Sequence, residues 1–139
     1  PGNASFYRAN ATRFGSSVQQ HLDRWAPSIA KLRGTRVVAY HRSFTYLAHW
    51  LGLDVVAHLE PKPGVPPSPA HVARVIGQAR KRGVALILQE SYYPTRTGTL
   101  VAKKIGARLV RVPGGASFAS GESYLHSIEE ILRGLEGKR

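Results

Sequence analysis

Two hydrophobic periods follow one another along this chain, and together they predict its secondary structure. The first segment repeats apolar residues at steps of three and four, which indicates one long amphipathic helix of roughly 28 residues that ends at Gly34. Its apolar positions are Tyr7, Ala11, Phe14, Val18, Leu22, Trp25, Ile29 and Leu32. Pro27 lies inside this pattern, so we expect either a kink there or the start of a second helix.

After Gly34 the pattern changes to short apolar runs that alternate with helical periods. The apolar runs predict strands over residues 36–41, 54–60, 84–90 and 107–112. The helical periods predict helices over residues 43–52, 68–83, 96–106 and 122–135. Such alternation predicts an α/β fold, in which a long N-terminal helix precedes a four-stranded parallel sheet with helices on both faces. Right-handed crossovers would join the strands, and the expected strand order is 2-1-3-4.

The composition limits the class of protein. With 139 residues, 42% of them hydrophobic, the chain fits one domain with a single core. It contains no apolar run of the roughly 20 residues that cross a bilayer, and it begins at Pro1 without the features of a signal peptide. We therefore expect a soluble piece of a longer protein. Cysteine is absent, so any transition-metal site must use His, Asp or Glu.

The formal net charge of +12 raises the question of an anionic partner. The Lys and Arg residues are scattered, however, and the densest run is only "RKR" at residues 80–82. We therefore expect no nucleic-acid partner. The alternative, a stand-alone basic α/β domain that binds nucleic acid or another anionic ligand, would reveal itself by steep salt dependence of binding.

Four residues lie where the predicted strands end, which is where ligands bind to open parallel sheets: His41, Glu60, Glu90 and Pro113. His41 and Glu90 end neighbouring strands, so they could hold a metal ion together with a further donor. They could also form the acid–base pair of an enzyme, although no substrate is indicated. In the structural interpretation, His41 bonds a turn and Glu90 caps a helix.

The remaining candidates favour structural roles. Glu60 precedes a proline-rich loop, and we expect its carboxylate to fix that loop by accepting hydrogen bonds. The glycine-rich loop "GGASFASG" lacks the pattern of a phosphate loop, and flexibility explains it better. No nucleophile elbow is present, which favours a protein that is not an enzyme. The other histidines show no metal-ligand spacing: His21, His49, His58, His71 and His126.

Several motifs, taken in order, resemble a known family. They are "VVAYHRSFTYLAHWLGL", "LEPKPGVPPSPAHVARVI", "LILQESYYPTRTGTLVAKKIGA" and "SYLHSIEEILRGL". They resemble the C-terminal lobe of the zinc- and manganese-binding receptors (substrate-binding proteins) that feed metal ABC transporters. The first segment, "FYRANATRFGSSVQQHLDRWAPSIAKLRG", is similar to the end of the helix that joins the two lobes of such receptors. The resemblance implies a linker helix over residues 1–34 and a lobe over residues 35–139.

The resemblance also implies a metal site in the cleft between two lobes. Two histidine ligands would come from the N-terminal lobe, and the third histidine of the family falls on His41. Glu90 matches an acidic position near the metal, either as a ligand or as a partner of one. Many members place an aspartate after the last strand, where Pro113 and Gly114 stand here. The site would then use three histidines with Glu90 or water, or bind metal less tightly, and zinc is favoured over manganese.

The function implied by this resemblance is extracytoplasmic capture of zinc and its delivery to the membrane permease of an ABC transporter. The protein would act in the periplasm or an equivalent bacterial compartment, without covalent chemistry. Its partners would be the permease and the missing N-terminal lobe. Because the first helix would leave apolar surface uncovered, we expect the isolated chain to form a homodimer or to swap that helix.

Overall fold

The computed structural model describes residues 2–115 and 123–137 and contains every predicted helix and strand. In chain order these are α1 Ala4–Leu32, β1 Arg36–Ala39, a 3-10 turn Arg42–Phe44, α2 Thr45–Leu51, β2 Asp54–His58, α3 Pro69–Arg82, β3 Leu86–Glu90, α4 Arg96–Ile105, β4 Arg108–Val112 and α5 Tyr124–Glu136. Most of the glycine-rich loop expected to be flexible, from residue 116 to residue 121, lies outside the described residues. No helix among those described is long and apolar enough to cross a membrane.

The four strands form one parallel sheet in the order β2-β1-β3-β4, which confirms the α/β fold and the expected strand order. β1 therefore lies inside the sheet, with β2 on one side and β3 on the other. Backbone hydrogen bonds continue beyond its last residue. The Tyr40 amide donates to the Leu88 carbonyl at 2.7 Å, and the Glu60 amide donates to the Tyr40 carbonyl at 2.9 Å. The chain is thus held in register up to the point where the candidate site residues begin.

Helices cover both faces of the sheet, and successive side chains of a strand are buried alternately on the two faces. Val37 and Ala39 of β1 point into a core made with α1, α2 and α5, whereas Val38 and Tyr40 point into a second core made with α3 and α4. Because both sets of alternating side chains are buried, the sequence of such a strand is a continuous apolar run. The arrangement leaves the carboxyl ends of the strands as the edge at which polar side chains collect.

Helix α1 runs without interruption through Pro27, so the expectation of a second helix starting there is wrong. The apolar period continues across the proline, and burial of that face outweighs the loss of one backbone hydrogen bond. Trp25, 6% exposed, packs in the core with its ring 6.2 Å from that of Trp50. Phe14, on the preceding turns, is 55% exposed. The helix is therefore anchored to the lobe by its C-terminal part only.

A buried glutamine shapes the loop that follows β3. Gln89 is fully buried, and its side-chain amide donates to the carbonyl groups of Tyr93 at 3.0 Å and Pro94 at 3.3 Å. Gly98 of α4 packs against the Gln89 side chain so closely that a Cβ atom at this position would collide with it. The small residue lets α4 approach the sheet, and the glutamine then holds the tyrosine-bearing loop beside the candidate site.

Candidate metal centre

His41, Glu60 and Glu90 meet at the carboxyl edge of the sheet. His41 follows the inner strand β1, Glu60 follows β2, and Glu90 ends β3. Because β1 lies between the other two strands, His41 has one carboxylate-bearing residue on each side. The strand order therefore surrounds an imidazole with two acidic residues, and both are buried: Glu60 is 7% exposed and Glu90 is 3% exposed.

The imidazole of His41 is oriented by the turn that it starts. His41 has an extended backbone and caps the turn Arg42–Phe44, and its Nδ1 accepts the Ser43 backbone N–H at 3.1 Å. This bond is the turn contact that the structural interpretation gives to His41, whereas the N-cap of α4 is Thr95 and not Glu90. With Nδ1 acting as an acceptor, the neutral ring carries its proton on Nε2. A metal bound at Nε2 would move that proton to Nδ1 and release the Ser43 amide.

Glu60 makes two different contacts with its two carboxylate oxygens. Oε1 accepts the backbone N–H of Gly64 at 2.9 Å, which confirms the predicted role in fixing the proline-rich loop. Oε2 faces Nε2 of His41 at 3.1 Å. This pair lacks the alignment of a hydrogen bond, and within the described ranges Oε2 has no other hydrogen-bond partner. The contact with His41 was not predicted from the sequence, although the expected adjacency of β1 and β2 was a signal for it.

Glu90 is linked to His41 through Ser43 rather than by a direct contact. The Ser43 hydroxyl donates to Oε1 of Glu90, while the Ser43 amide donates to His41. Oε2 of Glu90 is buried without a hydrogen bond to any described residue. The two residues predicted to converge thus lie in one network, with a serine between them that the sequence did not single out.

Tyrosines form the wall of the site. The rings of Tyr40 and Tyr93 stack with centroids 4.6 Å apart, and the Tyr93 ring lies 6.5 Å from that of His41. Burial, followed by the negative charges of Glu60 and Glu90, raises the pKa of Tyr40. Burial and the same carboxylates also raise the pKa of Tyr93. Both phenols therefore stay protonated at neutral pH, which leaves the carboxylates as the anionic oxygen donors.

The end of β4 adds no side-chain donor. Pro113 and Gly114 stand where the resemblance would place an aspartate, and the ring of Tyr92 packs against Gly114. A Cβ atom on residue 114 would lie 2.8 Å from Cδ1 of that ring, which is closer than carbon atoms pack. An aspartate at Gly114 would therefore require Tyr92 to move.

The described residues do not provide a complete set of metal ligands at this edge of the sheet. Across residues 2–115 and 123–137, no three His, Asp or Glu side chains are placed to hold an ion together. Among the other histidines, His71 bonds the His58 carbonyl through Nε2 at 2.9 Å. Burial, then the charges of Arg42 and His41, lower the pKa of His58, which keeps that ring neutral. His41 and its flanking carboxylates therefore offer fewer donors than a metal ion requires, so a metal bound there would need donors from elsewhere.

One family of known proteins matches nearly the whole chain. Residues 1–137 match the family described as zinc-uptake complex component A, periplasmic (ZnuA). The high-affinity zinc uptake system protein ZnuA of Bacillus subtilis is 25% identical over 108 residues, which cover 78% of this chain and 34% of that protein.

Two solved structures show how the chain relates to larger receptors. A manganese-bound periplasmic metal-binding protein from Candidatus Liberibacter asiaticus superposes with a TM-score of 0.77 at 20% identity, covering all of this chain and 54% of its own. The substrate-binding protein FpvC of Pseudomonas aeruginosa, in complex with Mn²⁺, superposes with a TM-score of 0.70 at 26% identity, covering 98% of this chain and 51% of its own. The chain spans about a third of the curated relative and about half of each structure.

Proposed function

Because the chain belongs to the periplasmic zinc-uptake complex component A family, whose members are metal-binding receptors rather than enzymes, we propose that it forms the C-terminal lobe of such a receptor. The complete receptor would capture a divalent transition metal outside the cytoplasm, zinc in preference to manganese. It would then deliver the ion to the permease of an ABC transporter. Capture would occur in the cleft between two lobes, and docking on the permease would follow.

The observation that carries this proposal is the pair of buried carboxylates around His41. Glu60 and Glu90 each have one oxygen without a hydrogen bond in the part of the chain that the structure describes. Burying an ionised carboxylate with an unsatisfied oxygen costs several kcal/mol unless a cation or a donor compensates it. A divalent metal at Nε2 of His41 would supply that compensation to Glu60, whose Oε2 atom faces this nitrogen.

The residues have different roles in the proposed site. His41 would bind the metal directly through Nε2, which is the ring nitrogen that faces the carboxylate of Glu60. Glu90 would hold Ser43, and with it the turn that follows His41, through the hydrogen bond that the Ser43 hydroxyl donates to Oε1 of Glu90. Such partners orient a ligand, and their loss typically weakens metal binding about 10- to 100-fold. The N-terminal lobe would add two histidines.

The nature of these donors favours zinc. Imidazole nitrogen with a single carboxylate suits zinc, whereas manganese prefers a sphere rich in oxygen ligands. Pro113 and Gly114 offer no carboxylate after β4, which removes one oxygen ligand expected from the resemblance. Extracytoplasmic location is supported by the family, whose description is periplasmic.

A zinc titration that compares the complete receptor with this 139-residue lobe tests the proposal. We expect tight binding by the complete receptor and binding weaker by at least about 1,000-fold for the lobe, because the lobe alone lacks two of the four ligands that zinc requires. Calorimetry with chelator competition measures both affinities, and Mg²⁺ serves as a control that neither protein should bind tightly. Absence of zinc binding to the complete receptor would contradict the proposed function.

The exposed half of α1 supports self-association of the isolated lobe, either as a homodimer or by exchange of this helix. Phe6, Tyr7 and Phe14 are exposed large apolar side chains on its N-terminal turns. In the complete receptor the other lobe would cover them. We expect light scattering to show a dimer of the isolated lobe whose population rises with concentration, and Phe14→Ser to reduce it. A monomer at all concentrations would contradict this expectation.

A further inference from the structure

We propose that Glu60 is a second metal ligand of this lobe and shares the bound ion with His41 through its Oε2 atom. The inference rests on the proposed function, since it concerns the same ion. Glu60 would then have a role beyond the loop contact through Oε1. This lobe would supply two metal ligands, the Nε2 atom of His41 and the Oε2 atom of Glu60.

The geometry of the pair is that of two ligands of one ion. Oε2 of Glu60 lies 3.1 Å from Nε2 of His41, yet the pair lacks the alignment of a hydrogen bond. Two ligands bound to a tetrahedral zinc at about 2.0 to 2.1 Å lie roughly 3.3 Å apart and do not point at each other. The short distance between Oε2 and Nε2, without the alignment of a hydrogen bond, is therefore the arrangement expected of two neighbouring ligands of one ion.

Glu60 is also held in place before any metal arrives. Its Oε1 accepts the Gly64 amide at 2.9 Å, and its own amide donates to the Tyr40 carbonyl at 2.9 Å. The residue is 7% exposed, so its side chain has little freedom to turn away from His41. The backbone amide and Oε1 of Glu60 are thus both held by hydrogen bonds, while Oε2 is buried without a hydrogen bond to any described residue. Such a carboxylate is preorganised for a cation.

Glu90 does not have the same relation to the ion. Its Oε1 accepts the Ser43 hydroxyl, and its link to His41 runs through Ser43. Glu60 instead faces the ring nitrogen that would bind the metal. With two histidines from the N-terminal lobe, His41 and Glu60 would complete four ligands without an aspartate after β4.

The test is Glu60→Gln in the complete receptor, with Glu130→Gln, a half-exposed position on α5, as the matched control. Glutamine keeps an oxygen for the Gly64 amide but removes the negative charge, so the loop contact survives while the ligand is weakened. We expect zinc affinity, measured by chelator competition, to fall roughly 100-fold or more, beyond the effect of losing a residue that only positions a ligand. The visible spectrum of the cobalt-loaded receptor should change in Glu60→Gln, whereas Glu130→Gln should leave both the zinc affinity and the cobalt spectrum close to those of the wild type.

Two outcomes separate this inference from the proposed function. If His41→Ala abolishes tight zinc binding while Glu60→Gln leaves affinity within about threefold and the cobalt spectrum unchanged, Glu60 is not a ligand, although the receptor assignment stands. If the unmodified receptor binds no zinc, the proposed function fails first. The cobalt spectrum is recorded at saturating metal, so a loss of stability in the metal-free variant does not hide the result.

Discussion

Replacing His41 with alanine is expected to lower the zinc affinity of the complete receptor by roughly 100- to 1,000-fold. Structural zinc sites with four ligands bind with about 10 to 16 kcal/mol, so one ligand accounts for roughly 2.5 to 4 kcal/mol. His41 is the imidazole placed between two buried carboxylates, and alanine leaves Glu60 and Glu90 without the nitrogen that shares the ion. Competition against a zinc chelator measures the change.

The matched control for this variant is His49→Ala. His49 lies on α2 and is exposed, away from the carboxyl edge of the sheet. Its loss should change zinc affinity by less than about threefold, since surface substitutions away from a site have small effects. An equal loss in the two variants, or no loss in His41→Ala, would remove His41 from the metal site.

Replacing Trp25 with alanine should lower the free energy of unfolding of the lobe by about 3 to 5 kcal/mol, the range for deletion of a large buried aromatic side chain. Trp25 contacts Trp50 of α2 edge to face, and its ring also lies 5.2 Å from that of His21. Its indole N–H has no hydrogen bond in the described residues, so the loss is one of packing. Urea denaturation of the 139-residue chain measures it.

Phe14→Ala on the same helix is the control, and at protein concentrations at which light scattering shows a monomer its effect should remain within about 0.5 kcal/mol because the side chain is largely exposed. The contrast also tests the predicted division of the chain at residue 34. A large effect at Trp25 would show that the C-terminal turns of α1 unfold together with the lobe. Equal, small effects for both variants would mean that the whole helix is independent of the core.

The order of elements could be predicted because each strand and helix carries its own period. Ser68 followed by Pro69 predicted the start of α3, and the side chain of Ser68 accepts the His71 amide there. Gly83 predicted its end and has the left-handed conformation, φ 62°, that favours glycine. Such signals are local, and the structure confirms them within a few residues.

The candidate site was only partly predictable because its contacts join distant segments. His41 and Glu90 could be selected as strand-end residues, but the bridging role of Ser43 depends on a side-chain rotamer. The approach of Glu60 to His41 depends on the pairing of β1 with β2. The hydrophobic period along the sequence indicates neither the rotamer of a side chain nor the contact between two residues on paired strands. The sequence left two alternatives open at Pro27 for a related reason, since tertiary packing rather than local propensity decides whether α1 continues.

The packing of Tyr92 against Gly114 constrains how this site could change over evolutionary time. An aspartate introduced at Gly114 while Tyr92 is present would meet an occupied space, at a cost of about 1 to 3 kcal/mol for overpacking. Replacement of Tyr92 by a smaller residue would have to come first, and on its own that step adds no metal ligand. A route to a carboxylate at this end of the sheet therefore passes through two substitutions in a set order. Because of this barrier, we expect descendants of this protein to retain His41, Glu60 and Glu90 rather than acquire an aspartate after β4.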